Sequence, residues 1–127
     1  MREIKFRAKE IGSEGKWRVG DLHITATKPH IHSLSNKYLI KIETVGQCTC
    51  LHDKNGKEIY EGDIVKYLSY AREEVGYIGF HVRSASFRVI AERTDYGIGN
   101  RGELHESELE IIGNIYDDPE LLKWSRL

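Results

Sequence analysis

Apolar and polar residues alternate with a period of two along much of the chain. Ile4, Phe6 and Ala8 interleave with Lys5, Arg7 and Lys9, the pattern of a strand with one buried and one wet face. Gly12, Ser13 and Gly15 predict a turn before Trp17 and Val19, and Gly20-Asp21 predicts a second break. The β-branched stretch Leu22 to Lys28 reads as a strand ended by Pro29. Leu39 to Val45 reads as another, with Ile40, Ile42 and Thr44 on one face, and Gly46 predicts a bulge or bend.

The strongest local signal is Asn55-Gly56, a pair that tolerates the positive φ angles of a tight turn. Glu61-Gly62-Asp63 turns the chain again and releases it into the strand Ile64–Leu68. Tyr77–Val82, Phe87–Ala91 and Glu110–Tyr116 complete the predicted strands, with a glycine-rich loop over 95–102. Asp117 or Asp118 is placed to cap a short C-terminal helix, Pro119 to Trp124, with Pro119 at its first position. Short strands between turn residues predict a mostly β, antiparallel, barrel-like or sandwich-like single domain over 1–127.

Composition narrows this picture. The 127 residues suit one domain and can bury a core without metal or disulfide staples. Nineteen Lys and Arg against 20 Asp and Glu leave a net charge of −1, which removes the bulk argument for nucleic acid or anionic membranes. No apolar run nears the roughly 20 residues of a membrane helix. The opening Met1-Arg2-Glu3-Ile4-Lys5 reads as charged strand rather than signal peptide, and two closely spaced cysteines read as free thiols in a cytoplasmic protein.

Three blocks resemble one family. Met1-Arg2-Glu3-Ile4-Lys5-Phe6-Arg7-Ala8 is similar to the opening of YopX-family proteins, small proteins of bacteriophages and prophages. Leu51 to Val65, the most specific block, resembles the family's central signature, and Ile112 to Leu122 its C-terminal one. The signature positions are Asp53, Asn55, Gly56, Tyr60, Gly62, Asp63, Gly113 and Pro119. Lys9, Cys48, Cys50 and His52 depart from the residues usual at their places. The resemblance implies a mostly β protein of a phage or prophage, in a bacterial host cell, with no established biochemical activity.

Several constellations invite chemistry. On a regular strand Cys48, Cys50 and His52 would share a face, and His30 and His32 supply two more zinc-type ligands. The usual Cys-x-x-Cys knuckle is missing, so no metal or other cofactor is expected. Gly97 to Gly102 spells G-x-G-x-x-G, but it lacks the βαβ setting of a dinucleotide site and reads as a mobile surface loop. Asp53, Glu58, Glu61 and Asp63 could divide acid and base roles; turn chemistry, with Lys54, Lys57 and Lys66 as neutralising neighbours, explains them equally. Lys5, Arg7 and Lys9 form a basic strand face, and Tyr67, Tyr70, Tyr77, Phe80 and Tyr96 are candidates for stacking on bases.

With no convincing catalytic set, the expected function is binding to a phage or host protein, or self-assembly into a homo-oligomer. Leu39–Val45 or Tyr77–Val82 is the expected interface. A nucleic-acid-binding regulator is the alternative, and an enzyme built on the acidic cluster the third reading.

Overall fold

The computed structural model describes residues 4–25, 28–99 and 102–122. The chain divides into two compact units, Met1–Cys50 and Leu51–Leu127. Both are built from antiparallel strands, in two sheets, and neither sheet closes on itself among the described residues. The barrel-like expectation is therefore corrected to open sheets with free edges.

In the first unit, β1 (Phe6–Lys9), β2 (Trp17–Ile24), β3 (Pro29–Ser33), β4 (Asn36–Leu39) and β5 (Gly46–His52) are ordered β4-β3-β2-β1-β5. Alternation works as predicted in β1, where Ala8 is fully buried with Ile31 and Ile40, flanked by Phe6, Leu22 and Val45. The predicted break at Gly20-Asp21 does not occur. β2 runs through both residues, pairing Gly20 with Phe6 and Asp21 with His32. Glycine is there because β3 comes so close that a Cβ would run into the His32 carbonyl.

The predicted strand over Leu39–Val45 is also corrected. β4 stops at Leu39, and Ile42–Thr44 form a 3₁₀ turn. The Thr44 hydroxyl donates to the Lys41 carbonyl at 2.6 Å and accepts the Lys9 N–H at 2.9 Å, which fixes that turn against β1. A buried Thr satisfied from both sides explains why the residue faces inward without extending a ladder.

In the second unit, β5 ends at His52 and β6 (Glu58–Tyr60) folds back beside it. β7 (Asp63–Ser69), β8 (Arg72–His81), β9 (Ser86–Ile90), β10 (Asp95–Gly97) and β11 (Glu110–Asn114) form a sheet ordered β10-β9-β8-β7-β11. Its core gathers Ile59, Val65, Tyr67, Ile78, Val89, Leu104 and Leu109. Ile64 is fully buried on the opposite face of β7, between Tyr77 of β8 and Gly113 of β11. Of the predicted Tyr77–Val82 interface, Tyr77 pairs with Ile64 of β7, residues 77–81 pair with β9, and the Ile78 carbonyl accepts the Gly62 N–H.

The C-terminal helix is replaced by a single 3₁₀ turn, Pro119–Leu121; Lys123 and Trp124 lie outside the described residues. Pro119 does start it. Asp118 does not cap it, because its carboxylate turns back to accept the Asn114 N–H at 3.2 Å.

Candidate binding surfaces and the signature residues

The central signature is a backbone device. Asp53 is almost fully buried, and its carboxylate accepts three main-chain N–H groups. Asn55 and Lys57 donate to one oxygen at 2.9 Å each, and Ile111, the second residue of β11, donates to the other at 3.0 Å. The Asp53 carbonyl takes the Gly56 N–H at 3.0 Å, and Gly56 adopts the left-handed φ of +82° that Asn-Gly predicts. Burial pushes the Asp53 carboxyl up, but the Ile111, Lys57 and Asn55 amides, with the Lys57 charge, hold it below the usual range.

The other signature positions repeat this logic. Buried Asp63 accepts the Tyr60 N–H at 2.7 Å. Gly62, at φ +93°, donates to the Ile78 carbonyl at 2.8 Å and accepts the Ile115 N–H at 2.9 Å, linking β8 to the segment after β11. A Cβ on Gly62 would press on the Tyr116 ring, and one on Gly113 would strike the Asp118 carboxylate. Gly113 lies where β11 slips register against β7, an irregularity between Ile111 and Gly113. Asn114 completes the C-terminal signature, its side-chain oxygen accepting the Tyr116 and Asp117 N–H groups at 3.0 Å.

Of the three lysines assigned to this acidic group, Lys57 lowers the Asp53 pKa by its charge, whereas Lys54 and Lys66 pair with other residues. Lys54 and Lys66 both approach Glu110, at 3.5 Å each, and Lys66 also meets Glu73 at 3.7 Å. These pairs line an open groove of about 380 Å³, together with Tyr67, Leu68, Ser107 and Glu108. Burial, then the Glu74 charge and Tyr96, push the Tyr67 phenol well above its ordinary range, so it stays protonated at neutral pH. The groove thus offers exposed, mutually paired charges, each pair worth at most about 1 kcal/mol.

The aromatic residues do not form one stacking platform. Tyr67 is buried edge-to-face against Tyr96 at 5.8 Å, Phe80 meets Phe87 at 5.2 Å, and Tyr70 stands almost wholly in solvent. Arg88, on β9, is held by Asp95 at 3.0 Å and Glu103 at 3.6 Å. The G-x-G-x-x-G stretch is a tight turn over its described residues. Gly97 donates to the Glu103 carboxylate at 2.8 Å, Gly102 to the Gly99 carbonyl at 3.2 Å, and Leu104 to the Gly97 carbonyl at 3.0 Å. Asn100 and Arg101 lie outside the described residues.

Cys48, Cys50 and His52 do not share one face. Cys50 has a left-handed φ of +69°, which interrupts the alternation of β5. Cys48 is buried, Cys50 half-buried and His52 exposed. His30 and His32 find a different neighbour, His23, whose ring stacks on that of His32 at 3.9 Å. Reading Leu22 to Lys28 as one strand ended by Pro29 hides the hairpin register that sets His23 against His30. The Thr25 N–H to Lys28 carbonyl bond closes that hairpin and brings His23 opposite His30. Burial, followed by His23, Lys37 and His30, lowers the His32 pKa.

On β1 and β2 of the same unit, the Arg7 guanidinium lies 4.8 Å and the Lys9 ammonium 5.6 Å from the Trp17 ring centre. The basic face foreseen there is thus tied to an aromatic on the neighbouring strand.

An open-sheet β protein whose signature carboxylates cap its own backbone is the class that fold and site define. The chain belongs to the YopX family, whose model matches residues 5–123 under the description "YopX protein". Protein EF1440 from Enterococcus faecalis, known from a crystal structure, is similar at 23% identity and a TM-score of 0.52. The match covers 96% of this chain and 99% of that one, and it supports the fold. Among curated proteins none matches. Among the described residues no helix is long and apolar enough to cross a membrane.

Proposed function

We propose that this chain is a phage or prophage accessory protein that acts by binding a protein partner or its own copies rather than by catalysis. The observation that carries this reading is the use of the signature carboxylates. Asp53 accepts three backbone N–H groups and Asp63 accepts the Tyr60 N–H, so both are employed in holding the backbone rather than aimed at a substrate. A general acid or base needs a carboxyl within reach of the proton it moves. Family membership supports the phage-type origin.

The host cytoplasm is the compartment that suits such a protein and its two unbridged cysteines. The test is affinity capture with the intact chain from phage-infected cells, scoring proteins and nucleic acids, followed by reconstitution from purified components. A stoichiometric protein complex, or defined self-association, is the expected result. Tight, salt-sensitive binding to single- or double-stranded nucleic acid, with no protein complex, would overturn it.

A further inference from the structure

The ladder between β2 and β3 pairs Asp21 with His32 and His23 with His30. Residues opposite one another on an antiparallel ladder share a face, with Cβ atoms about 4.5–5.5 Å apart. Three imidazoles and a carboxylate therefore occupy a two-by-two block on one face of the first unit. The backbone beneath them is held in place from the other side. Ile31, between His30 and His32, is fully buried, and Leu22, between Asp21 and His23, packs against the same small core.

The rings already crowd together, with His23 stacked on His32 at 3.9 Å and His30 edge-on to His32 at 6.1 Å. As the side chains stand, no three His, Cys, Asp or Glu among the described residues converge on one point. Three imidazoles around a tetrahedral ion, with metal–nitrogen bonds near 2.0–2.1 Å, have ring centres roughly 5 Å apart. The two present separations bracket that value. Convergence asks for side-chain rotation of one exposed and two half-buried rings.

We propose that His23, His30 and His32 form a three-histidine site for a borderline-soft divalent transition ion of the zinc class. Imidazole nitrogen suits zinc, cobalt and nickel, whereas magnesium and calcium demand oxygen ligands. Two histidines at alternate positions of one strand and a third on its antiparallel neighbour present nitrogens from three directions to one side. The fourth position is left to water or to a donor from outside the chain. Asp21, opposite His32, offsets the charge that the ion and the nearby Lys37 bring to this face. Cys48 and Cys50 take no part. The site stands independently of the binding reading above.

The experiment uses the full chain without any histidine tag, stripped by chelator, and titrates it with cobalt(II), then displaces cobalt with zinc. One ion per chain and the visible absorption of a tetrahedral nitrogen-rich site are expected. His23→Gln and His30→Gln should each weaken binding by at least about tenfold, the cost of losing even an outer-shell partner. His81→Gln and His105→Gln, elsewhere on the surface, should leave it unchanged. Circular dichroism of every variant establishes that the fold persists. The proposal is overturned by the absence of saturable one-ion binding, by binding that survives both His23→Gln and His30→Gln, or by binding lost on Cys48→Ser or Cys50→Ser instead.

Discussion

The Asp53 carboxylate accepts the backbone N–H of Ile111 at 3.0 Å, across 58 residues of sequence. One side chain thus closes its own turn and anchors a strand from the far end of the second unit. Asp53→Ala leaves three amides without this acceptor and should cost about 2–4 kcal/mol, because hydrogen bonds to charged groups are the strong ones. Asp53→Asn keeps one acceptor and should cost less. Urea denaturation measures both, and an unchanged midpoint for Asp53→Ala would remove the residue from the fold's framework.

The same carboxylate sets a pH dependence. Its folded pKa lies below its ordinary value, so its contribution is present above the unfolded pKa of about 3.9 and disappears as pH falls through the folded value. Wild-type melting temperature should therefore drop as pH is lowered below about 4, and Asp53→Asn should flatten that part of the curve. Parallel wild-type and variant curves would contradict this assignment.

Ile64, fully buried between Tyr77 and Gly113, is the aliphatic anchor of β7 on the face opposite the main cluster. Ile64→Ala should destabilise the protein by about 2–5 kcal/mol, from lost burial and the cavity left behind. Chemical denaturation checks this directly, since a surface residue would cost under about 0.5 kcal/mol.

Two glycines should respond differently to alanine. At Gly56 nothing lies within 4 Å of an added Cβ, so Gly56→Ala incurs only the left-handed penalty of about 1–2 kcal/mol. At Gly20 the Cβ meets the backbone of β3, which cannot rotate away. Gly20→Ala should loosen the β2–β3 ladder and speed amide exchange at Leu22 and Ile31, which Gly56→Ala should leave protected.

Self-association, if it completes the sheets, should use an outer strand such as β4, which pairs with β3 alone among the strands. Light scattering across a concentration series should show mass rising above the 14.7 kDa of one chain. A constant 14.7 kDa at every concentration would sink the expectation.

The sequence was most legible where local chemistry and tertiary contact ask for the same thing. Asn55-Gly56 announced its turn, and Phe6, Ala8, Ile64 and Val65 announced strands whose burial follows. Reading failed where contact overrides local preference. Gly20-Asp21 resembles a break, yet the glycine answers a close neighbouring strand that no local window contains. Ile40, Ile42 and Thr44 have the right period for a strand, but the Thr44 hydroxyl bonds to Lys9 and Lys41 and bends them into a turn. The acidic cluster was visible as a cluster. Its purpose was not, because the Ile111 amide that decides it lies far along the chain. His23 escaped because facing residues follow from hairpin register, and 25–28 carries no Asn-Gly or similar marker.

The left-handed turn of the backbone at Cys50 has a consequence for which residues can stand there. A side chain at a φ of +69° is strained, and glycine alone adopts that conformation freely. Immediately beyond it, Leu51 packs on the main cluster and the Asp53 carboxylate is buried among its three amides. A residue that refuses the left-handed region would draw this stretch toward regular extended backbone and disturb the faces that Leu51 and Asp53 present. Cys50→Gly should thus be tolerated, while the β-branched Cys50→Val should not.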